Sequence, residues 1–505
     1  MINSSRPCGA LGQTSAEDAR AEAQELLANV RPPDWRNPQP SGIYDLIILG
    51  AGPAGLVAAR GAATLGRKVA LIERNLLGGN CLNAGCVPSK ALIRTSRLYA
   101  RMREARELGV GEADELRADA VAAMQRIRRL QARLSRSDSA CRLRERGVDL
   151  YFGTGAFISP SQLRVDDAAL LTFKKALVAT GARPASPAIP GLEEAGYWTN
   201  ETIFNLDATP ARLLVIGGGP LGCELAQAFC RLGSQVTIAQ DDPMFLPGEE
   251  RDAAQILAES MANDGVHTYL NTAVVAVRTQ GKEKIIELMN EDNKMTVRAD
   301  EILTGIGRVP NVSGLGLEAA QVEYDTVSGI RVNDFLQTTN PRIYAAGDVC
   351  LEHKFAHMAD ATARIVLHNA LLRGRRRLSA LTVPWCTYTD PEIAHVGLYV
   401  REARQQSIPV ETLTVLMHDV DRAVTDGDES GFLKIHLRDG TDKILGATIV
   451  ARRAGEMINE LSLAITAGIG LRKLGQVVHA YPTQSLAVKM AADAYHRKRL
   501  SAVAR

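Results

Sequence analysis

The sequence predicts an α/β protein in which two strand–turn–helix–strand units are followed by a C-terminal α+β domain. Residues 44–73 pass from the apolar strand YDLIILG through a glycine-rich turn and an Ala-rich helix into a second strand, KVALIE. Residues 211–239 repeat this order. After about residue 382, strands such as HVGLY, GFLKIHL and KILGATIV alternate with helices and carry no such turn. The 505 residues suit about three domains at ~150 residues each.

The composition excludes several classes of protein. With 46% apolar and 23% charged residues, the chain is typical of a soluble globular protein. Lys and Arg number 59 against 57 Asp and Glu, so no global charge favours nucleic acid. The longest apolar stretches, such as 461–471, are shorter than the ~20 residues that span a bilayer. The N-terminus lacks a secretory signal. We therefore expect a cytoplasmic protein without a membrane or nucleic-acid partner.

Two further stretches lie outside the repeated units. Residues 1–42 combine a short helix, AEDARAEAQELLANV, with a proline-rich linker, and we expect them to form an appendage. Residues 113–147 have helical spacing and many arginines but no interleaved aromatic residues. This pattern favours a long helix with a solvated arginine face over a nucleic-acid contact.

The first glycine-rich turn predicts a dinucleotide site. Gly50, Gly52 and Gly55 form G-x-G-x-x-G directly after a strand, so a phosphate can approach the backbone at the start of a helix. Glu73 ends the next strand, where its carboxylate can accept the hydroxyls of a ribose. Glycine clusters also serve ordinary turns, but the strand, the helix and the acidic terminus together favour the nucleotide.

A pair of cysteines follows this unit in the run GGNCLNAGCVPSK. Cys81 and Cys86 have a spacing that brings two sulfurs together on one face of a helix, and the leading Gly78 and Gly79 let the chain turn in beside a cofactor. Zinc would require a second ligand pair, and none follows nearby. A merely buried pair is the other alternative. The pattern favours a redox dithiol beside a dinucleotide.

The remaining cysteines show no ligand spacing, and we expect no metal site among them. They are Cys8, Cys141, Cys223, Cys230, Cys350 and Cys386.

Seven motifs together resemble the class I flavoprotein disulfide reductases of the pyridine nucleotide-disulfide oxidoreductase family. The motifs are GAGPAGLVAA, GGNCLNAGCVPSK, ATGARP, GGGPLGCE, TGIGRVPN, YAAGDV and YTDPEIAHVG. The resemblance covers about residues 43–495. It implies two Rossmann-like nucleotide-binding domains, for FAD and for NAD(P), and a C-terminal α+β dimerisation domain that completes the partner's active site in a homodimer.

The resemblance also implies boundaries for these domains, because the NAD(P) domain is inserted into the FAD domain. We expect an N-terminal helix and linker over 1–42, the FAD-binding domain over 43–195 and 305–380, the NAD(P)-binding domain over 196–304, and the dimerisation domain over 381–505.

Roles for individual residues follow from the resemblance. Glu73 would bind the adenosine ribose of FAD, and Asp348 its ribityl chain. Lys90 would lie beside the flavin N5, paired with Glu224, so that an oriented ammonium stabilises the negative charge of the reduced flavin. Further residues are implied to contact the cofactors: Gly79, Ala156, Thr180, Gly181, Gly307 and Ala356.

The two cysteines would divide the work. Cys86 is nearer to Lys90 in the sequence and would form the charge-transfer contact with the flavin. Cys81 would then attack or bind the substrate.

The second glycine-rich turn would bind the nicotinamide coenzyme. Gly217, Gly219 and Gly222 form its fingerprint. The strand that follows ends in Gln240, Asp241 and Asp242, where NADP enzymes need a cation for the 2′-phosphate. Two carboxylates would repel this phosphate, so NADH is expected and NADPH is disfavoured.

The C-terminal run HAYPTQSLAV departs from the family pattern. Tyr481 occupies the position of the catalytic His, and Leu486 that of its Glu partner. A phenol with a pKa near ~10 is a poor base at pH 7. His479 is offset by two residues, and we expect it to be a packing or surface residue.

Mercuric reductase also has a tyrosine in this region, so the C-terminal run resembles that enzyme. The run DWRNPQPSGIYDLIILGAGPAGLVAA resembles a mercuric-reductase-like subgroup as well. The N-terminal GMTC module and the terminal Cys pair of mercuric reductase are absent, so we expect slow metal delivery.

Three functional hypotheses follow. The first is an FAD-dependent oxidoreductase that passes electrons from NAD(P)H to the Cys81/Cys86 pair and on to a small acceptor, a soft metal ion or an oxidised thiol. The second is a dihydrolipoamide dehydrogenase-like enzyme with a substituted base. The third, of a different class, is a flavin-bearing redox sensor with little turnover.

Overall fold

A computed structural model describes residues 16–105, 109, 119–206 and 208–503 and has the predicted α/β class. The elements of the first part are α1 (Ala16–Val30), β1 (Ile43–Leu49), α2 (Pro53–Thr64), β2 (Val69–Glu73), α3 (Gly79–Asn83), α4 (Cys86–Glu104), α5 (Ala120–Ser135), α6 (Ala140–Glu145), β3 (Val148–Phe152), β4 (Gly155–Ser159), β5 (Gln162–Val165) and β6 (Ala169–Val178).

The next part of the chain holds the second glycine-rich unit. Its elements are β7 (Ala182–Pro184), α7 (Leu192–Ala195), β8 (Arg212–Ile216), α8 (Pro220–Arg231), β9 (Gln235–Ala239), α9 (Arg251–Asp264), β10 (His267–Tyr269), β11 (Ala273–Gln280), β12 (Glu283–Asn290), β13 (Asn293–Ala299) and β14 (Glu301–Thr304).

The rest of the chain returns to the first part and then forms the C-terminal part. Its elements are β15 (Arg308–Pro310), β16 (Tyr324–Asp325), β17 (Gly329–Ile330), β18 (Ile343–Ala345), α10 (Ala356–Leu371), β19 (Pro384–Thr387), β20 (Glu392–Gly397), α11 (Val400–Gln405), β21 (Val410–Leu416), α12 (Asp421–Asp426), β22 (Phe432–Arg438), β23 (Ile444–Ala451), α13 (Ala454–Thr466), α14 (Leu471–Leu474) and α15 (Leu486–Val503).

Both predicted strand–turn–helix–strand units are confirmed, and each lies in a parallel region of a sheet. The first sheet has seven strands in the order β3-β2-β1-β6-β5-β4, with β18 paired to β6. The second has the parallel order β10-β9-β8-β14. Strand β2 is buried along its whole length, as a parallel strand covered on both faces must be. The return of β18 puts residues on either side of the second unit in one sheet.

The C-terminal part is built on a five-stranded antiparallel sheet in the order β19-β20-β23-β22-β21. The predicted strands HVGLY, GFLKIHL and KILGATIV correspond to β20, β22 and β23. Helices α13 and α15 share one apolar core with this sheet. In the part of the chain that the structure describes, no helix combines the length and hydrophobicity that a bilayer crossing requires.

The predicted N-terminal helix is confirmed as α1, but the expectation of an appendage is wrong. Val30 is fully buried, and its carbonyl accepts a hydrogen bond from the Leu77 N–H at 3.1 Å. The Asn29 amide donates to the Ser135 hydroxyl at 2.9 Å. The described part of this segment, residues 16–42, is therefore packed against the first unit, and residues 1–15 lie outside the described residues.

The expected long helix over 113–147 is also wrong in two respects, although residues 113–118 lie outside the described part. Helix α5 ends at Ser135, and Ser139 caps a separate helix, α6, through a hydrogen bond from the Arg142 N–H. The arginine face is not simply solvated, because Arg129 pairs with Glu22 of α1 at 3.0 Å.

We predict that a buried ion pair between the second unit and the C-terminal part is needed for stability. Arg231 is 7% exposed and pairs with Asp264 at 2.9 Å and with Asp390 at 2.8 Å. Replacing Arg231 with Met leaves the largely buried Asp264 without its cation, while Asp390 keeps only a longer contact with Arg452 at 3.6 Å. Removing one partner of such a pair costs about 3 kcal/mol. Thermal unfolding should show a clearly lower midpoint for Arg231→Met, and an unchanged one for the exposed control Arg251→Met. Equal midpoints for both variants would contradict the prediction.

Candidate redox and nucleotide sites

The first glycine-rich turn has the geometry that a dinucleotide requires. Helix α2 begins after Gly52, and no side chain caps its N-terminus. A Cβ on Gly55 would lie 1.8 Å from the Gly50 carbonyl oxygen, so only glycine lets the helix pack this closely on the turn. The backbone N–H groups at this end are the donors that bind phosphates.

Glu73 lies beside this turn in a fixed orientation. Its Oε2 accepts the Ala51 N–H at 2.7 Å, and its Oε1 accepts the Asn75 N–H at 2.7 Å. Burial raises the pKa of Glu73, and these two bonds oppose the rise by stabilising the carboxylate. The residues present thus fit the adenosine and pyrophosphate of FAD.

The second turn repeats this geometry with a neutral side chain. A Cβ on Gly222 would lie 2.0 Å from the Gly217 carbonyl oxygen. The Gln240 Oε1 accepts the Gly218 N–H at 2.5 Å, where Glu73 accepts Ala51 in the first turn. The Gln240 amide then donates to Asp242 at 3.0 Å. An uncharged acceptor and a neighbouring carboxylate therefore lie at the end of the strand that follows this turn.

The cysteine pair differs from the prediction in its secondary structure. Cys81 lies in α3 and Cys86 begins α4, so the two do not share one continuous helix. The helix breaks at Ala84 and Gly85 because the Gly85 backbone leaves the helical region, with φ −139° and ψ −110°. The break still brings the two sulfurs into hydrogen-bond contact.

The two thiols have opposite electrostatic character. Accepting the hydrogen bond from Cys81, with help from the positive charge of Lys90, lowers the pKa of Cys86 to about 6. Donating that bond raises the pKa of Cys81, and burial adds to the rise. Cys86 is therefore the thiolate at neutral pH, and it is solvent-exposed.

The predicted Lys90–Glu224 pair forms in the structure. The Lys90 ammonium donates to Glu224 at 2.8 Å, and the Glu224 side chain is 5% exposed. The other Glu224 oxygen accepts the Tyr388 N–H at 2.9 Å. The Tyr388 ring lies under the ammonium, with 4.5 Å between the Lys90 nitrogen and the ring centroid. Glu224 and Tyr388, from two other parts of the chain, thus fix the Lys90 ammonium beside Cys86.

Other predicted cofactor residues lie around this centre. Asp348 is in a short 3₁₀ turn and pairs with Arg308 at 2.7 Å. Its charge contributes to the raised pKa of Cys81, so it lies near the redox pair. The Thr180 hydroxyl donates to the Asn311 carbonyl at 2.8 Å, which joins two of the sequence motifs.

Two of the remaining predicted positions make backbone hydrogen bonds, and three lie in helices or strands. The Gly181 carbonyl accepts the Asn311 N–H, and the Gly307 carbonyl accepts the Ala185 N–H. Gly79 is the first residue of α3, Ala156 lies in β4, and Ala356 is the first residue of α10. Their roles at the cofactors stay predictions.

Tyr481 lies on the surface of the C-terminal part. Its side chain is 70% exposed, and its hydroxyl donates to Asp421 at 2.9 Å. This hydrogen bond raises the pKa of Tyr481, so the phenol stays neutral. Leu486 is the first residue of α15.

His479 lies in the same segment and is held inside its own chain. Its Nε2 is 2.8 Å from Glu460 of α13, and its Nδ1 is 3.2 Å from the Val477 carbonyl. The side chain is 6% exposed. Both ring nitrogens are engaged, which agrees with the expected packing role.

The other described cysteines are not arranged as ligands. Cys223 and Cys230 are buried and donate to the carbonyls of Gly218 and Asp264. Burial raises the pKa of Cys350 and of Cys386. Cys141 is exposed, and Cys8 lies outside the described residues. Within the described ranges, no group of three or more His, Cys, Asp or Glu residues could hold a metal ion.

Three side chains that shape the site were not among the predicted residues. Tyr388 and Arg308 lie in the motifs YTDPEIAHVG and TGIGRVPN, which signal the positions but not the contacts. Gln131 of α5 donates to the carbonyls of Leu82 at 3.0 Å and Asn83 at 2.9 Å, and so braces the loop between the cysteines. The local sequence carries no signal for this last contact.

Comparison with known proteins decides the family. The profile described as Pyridine nucleotide-disulphide oxidoreductase matches residues 44–363, and the profile of its dimerisation domain matches residues 383–492. The chain belongs to the pyridine nucleotide-disulfide oxidoreductase family. Members of this family are flavoproteins that depend on FAD and a pyridine nucleotide.

Similar members of the family have two different names. Mercuric reductase from Streptomyces lividans is 34% identical over 456 residues, covering 90% of this chain and 96% of the relative. Mercuric reductase from Staphylococcus aureus is 32% identical and covers 96% and 90%. Dihydrolipoyl dehydrogenase from Thermus scotoductus is 33% identical and covers 90% and 98%.

Solved structures of the family have the same fold. LpdA from Mycobacterium tuberculosis has a TM-score of 0.81 at 30% identity and covers 90% of this chain and 100% of its own. The Cu(II) complex of the HOCl-induced flavoprotein disulfide reductase RclA from Escherichia coli has a TM-score of 0.79 at 28% identity, with 88% and 99% covered.

We predict that Cys86 is alkylated at unusually low pH. In the reduced protein freed of flavin, the rate of iodoacetamide modification at Cys86, followed by mass spectrometry, should rise with pH through a midpoint of about 6, against ~8.5 for a free thiol. Cys81→Ala should move the midpoint to higher pH, and Lys90→Met should do so to a smaller extent. The exposed Arg94 of α4 offers a control, Arg94→Met, which should leave it unchanged. A wild-type midpoint near 8.5 would show that Cys86 is not the stabilised thiolate.

Proposed function

We propose that the protein is an FAD-dependent, NADH-dependent oxidoreductase that passes two electrons through the Cys81/Cys86 pair to a thiophilic metal ion. FAD, when bound, would supply the hydride acceptor that links nicotinamide to the cysteines. One NADH and one proton reduce the disulfide to two thiols. Oxidation of the two thiols back to the disulfide releases two protons and two electrons. The two electrons reduce Hg(II) to Hg(0).

The observation that carries this proposal is the state of Tyr481. A thiol-exchange enzyme has to protonate a departing thiolate with a pKa of about 8.5, for which a group that titrates near neutrality is suited. The Tyr481 phenol is neutral and its hydroxyl donates a hydrogen bond to Asp421, and Leu486 supplies no carboxylate. A metal ion bound between two thiolates needs no proton donor, and a neutral phenol oxygen is a weak additional ligand.

The remaining residues take roles that their contacts support. Cys86, as the thiolate, faces the flavin, and Cys81 receives the acceptor. The Lys90 ammonium, held by Glu224 and Tyr388, stabilises negative charge on the flavin side. Glu73, Asp348 and the residues of the first turn hold FAD. Thiol chemistry of this kind suits a reducing compartment such as the cytoplasm.

The proposal includes a homodimer with a shared site. The family's dimerisation domain spans residues 383–492, and in it Tyr481 is 70% exposed and so free to meet another subunit. We place this side chain opposite Cys81 of the second copy.

A second candidate is a dihydrolipoamide dehydrogenase-like activity. It is favoured by the His479–Glu460 contact, because a histidine oriented by a carboxylate is the arrangement of a general base. The engagement of both ring nitrogens within the chain argues against a free base.

The choice of acceptor tests the proposal. We expect NADH-dependent reduction of Hg(II) to exceed reduction of lipoamide by the wild-type protein. The double variant Tyr481→His, Leu486→Glu should raise lipoamide reduction about a hundredfold by restoring an acid–base pair. Tyr481→Phe keeps the ring and should lower only the metal activity. Brisk lipoamide reduction without Hg(II) reduction by the wild-type protein would favour His479 as the base.

The charge at the second turn predicts coenzyme preference. We expect kcat/KM for NADH to exceed that for NADPH by at least about tenfold, because Asp241 and Asp242 repel a 2′-phosphate. Asp242→Arg should narrow this ratio by improving the use of NADPH. The exposed Asp292, in the turn between β12 and β13, gives a control, Asp292→Arg. An equal narrowing in both variants would indicate a general charge effect and contradict the assignment.

A further inference from the structure

The segment that follows α1 crosses the outer side of the turn after β2. The Arg31 guanidinium donates to the Arg74 carbonyl at 2.5 Å and to the Asn75 carbonyl at 2.7 Å. One residue earlier, the Val30 carbonyl accepts the Leu77 N–H at 3.1 Å. The turn between Glu73 and the helix that contains Cys81 is therefore hydrogen-bonded to the N-terminal segment.

The same segment also covers the edge strand β3. The Asn37 side chain makes two hydrogen bonds to the backbone of Phe152, both 2.8 Å long. The Asn37 amide nitrogen donates to the Phe152 carbonyl, and the Asn37 amide oxygen accepts the Phe152 N–H. The Trp35 indole donates to the Leu150 carbonyl at 3.2 Å, and its ring meets that of Phe152 edge-on, with centroids 5.8 Å apart. These contacts occupy groups that an edge strand otherwise leaves unpaired.

The two sets of contacts meet at Glu73. Phe152 is the partner of Glu73 in the sheet, and the Gly153 N–H donates to the Glu73 carbonyl at 2.9 Å. On the other side, Asn75 donates its N–H to the Glu73 carboxylate and offers its carbonyl to Arg31. The guanidinium also lies 5.3 Å from the centroid of the Phe152 ring. Arg31 thus contacts Phe152, which pairs with Glu73 in the sheet, and Asn75, which donates to the Glu73 carboxylate.

The charge of Arg31 acts in the same direction as this geometry. Burial raises the pKa of Glu73, and the positive charges of Arg74 and Arg31 oppose the rise. The ionised carboxylate has acceptors on both oxygens, whereas a protonated carboxyl group has one oxygen that donates, so the ionised form is the better acceptor for the two hydroxyls of a ribose.

We propose that residues 30–37 form a clamp that fixes the Glu73 carboxylate and thereby retains the adenosine half of FAD. The clamp acts through Arg31, Trp35 and Asn37, which position Glu73. It rests on the proposed function, because that proposal assigns Glu73 to the FAD ribose.

The release of FAD from the purified holoprotein tests the clamp. Flavin fluorescence after dilution gives the release rate, and FAD itself is the probe. Loss of a charge-assisted hydrogen-bonding group should make release about tenfold faster in Arg31→Ala, and faster again in Arg31→Ala, Trp35→Ala. Arg31→Lys keeps the charge and should lie between the wild type and Arg31→Ala. The exposed neighbour Arg36 supplies a matched control, Arg36→Ala, with a wild-type rate. A wild-type release rate in Arg31→Ala would overturn the proposal.

Two further measurements distinguish a clamp on FAD from a contribution of Arg31 to fold stability alone. If Arg31 served only to stabilise the fold, the thermal midpoints of the apo and holo forms would fall equally in Arg31→Ala. If residues 30–37 act as a clamp, the difference between the holo and apo midpoints becomes smaller in this variant, because FAD adds less stability. Glu73→Gln tests the underlying assignment, because the clamp requires faster release in this variant as well. Unchanged release in Glu73→Gln would reject Glu73 as the FAD ligand, whereas a change in Glu73→Gln without one in Arg31→Ala would reject the clamp alone.

Discussion

The Lys90–Glu224 ion pair joins the three parts of the molecule that have to cooperate. Lys90 belongs to the helix that begins at Cys86, Glu224 to the helix of the second glycine-rich turn, and Tyr388 reaches the pair from the C-terminal part. A carboxylate that is 5% exposed is stable only with its cation in place. The pair therefore fixes the distance between the redox cysteines and the coenzyme unit, and it holds a positive charge where the Cys86 thiolate needs it.

Much of this arrangement could be predicted from the sequence because it depends on local patterns. Apolar runs that end in glycine indicated the strands and turns, and the acidic or polar residue at the end of each following strand marked Glu73 and Gln240. The Lys90–Glu224 contact joins residues far apart in the chain, and it was accessible only because both lie in motifs of the family. Tyr388 also lies in a motif of the family, but its contacts with the pair depend on tertiary structure and were not predicted.

The errors have a common physical origin in tertiary contacts. The spacing of Cys81 and Cys86 is compatible with one helix, but the Gly85 backbone and the Gln131 bonds to Leu82 and Asn83 impose a break. The proline-rich linker has no apolar periodicity, yet it is fixed by side chains that bond to distant backbone groups.

Glu73 and Gln240 occupy the same place in two copies of one unit and differ in a single group, an oxygen in one and an amide nitrogen in the other. Each accepts a backbone N–H from its own glycine-rich turn, at 2.7 Å and 2.5 Å. A carboxylate makes stronger, charge-assisted hydrogen bonds to a ribose than a neutral amide does. With FAD at the first turn and the nicotinamide coenzyme at the second, as we propose, the ligand that stays through many turnovers meets the carboxylate, and the ligand that leaves after each turnover meets the amide. One side chain in each copy thus favours a different residence time for the proposed ligand.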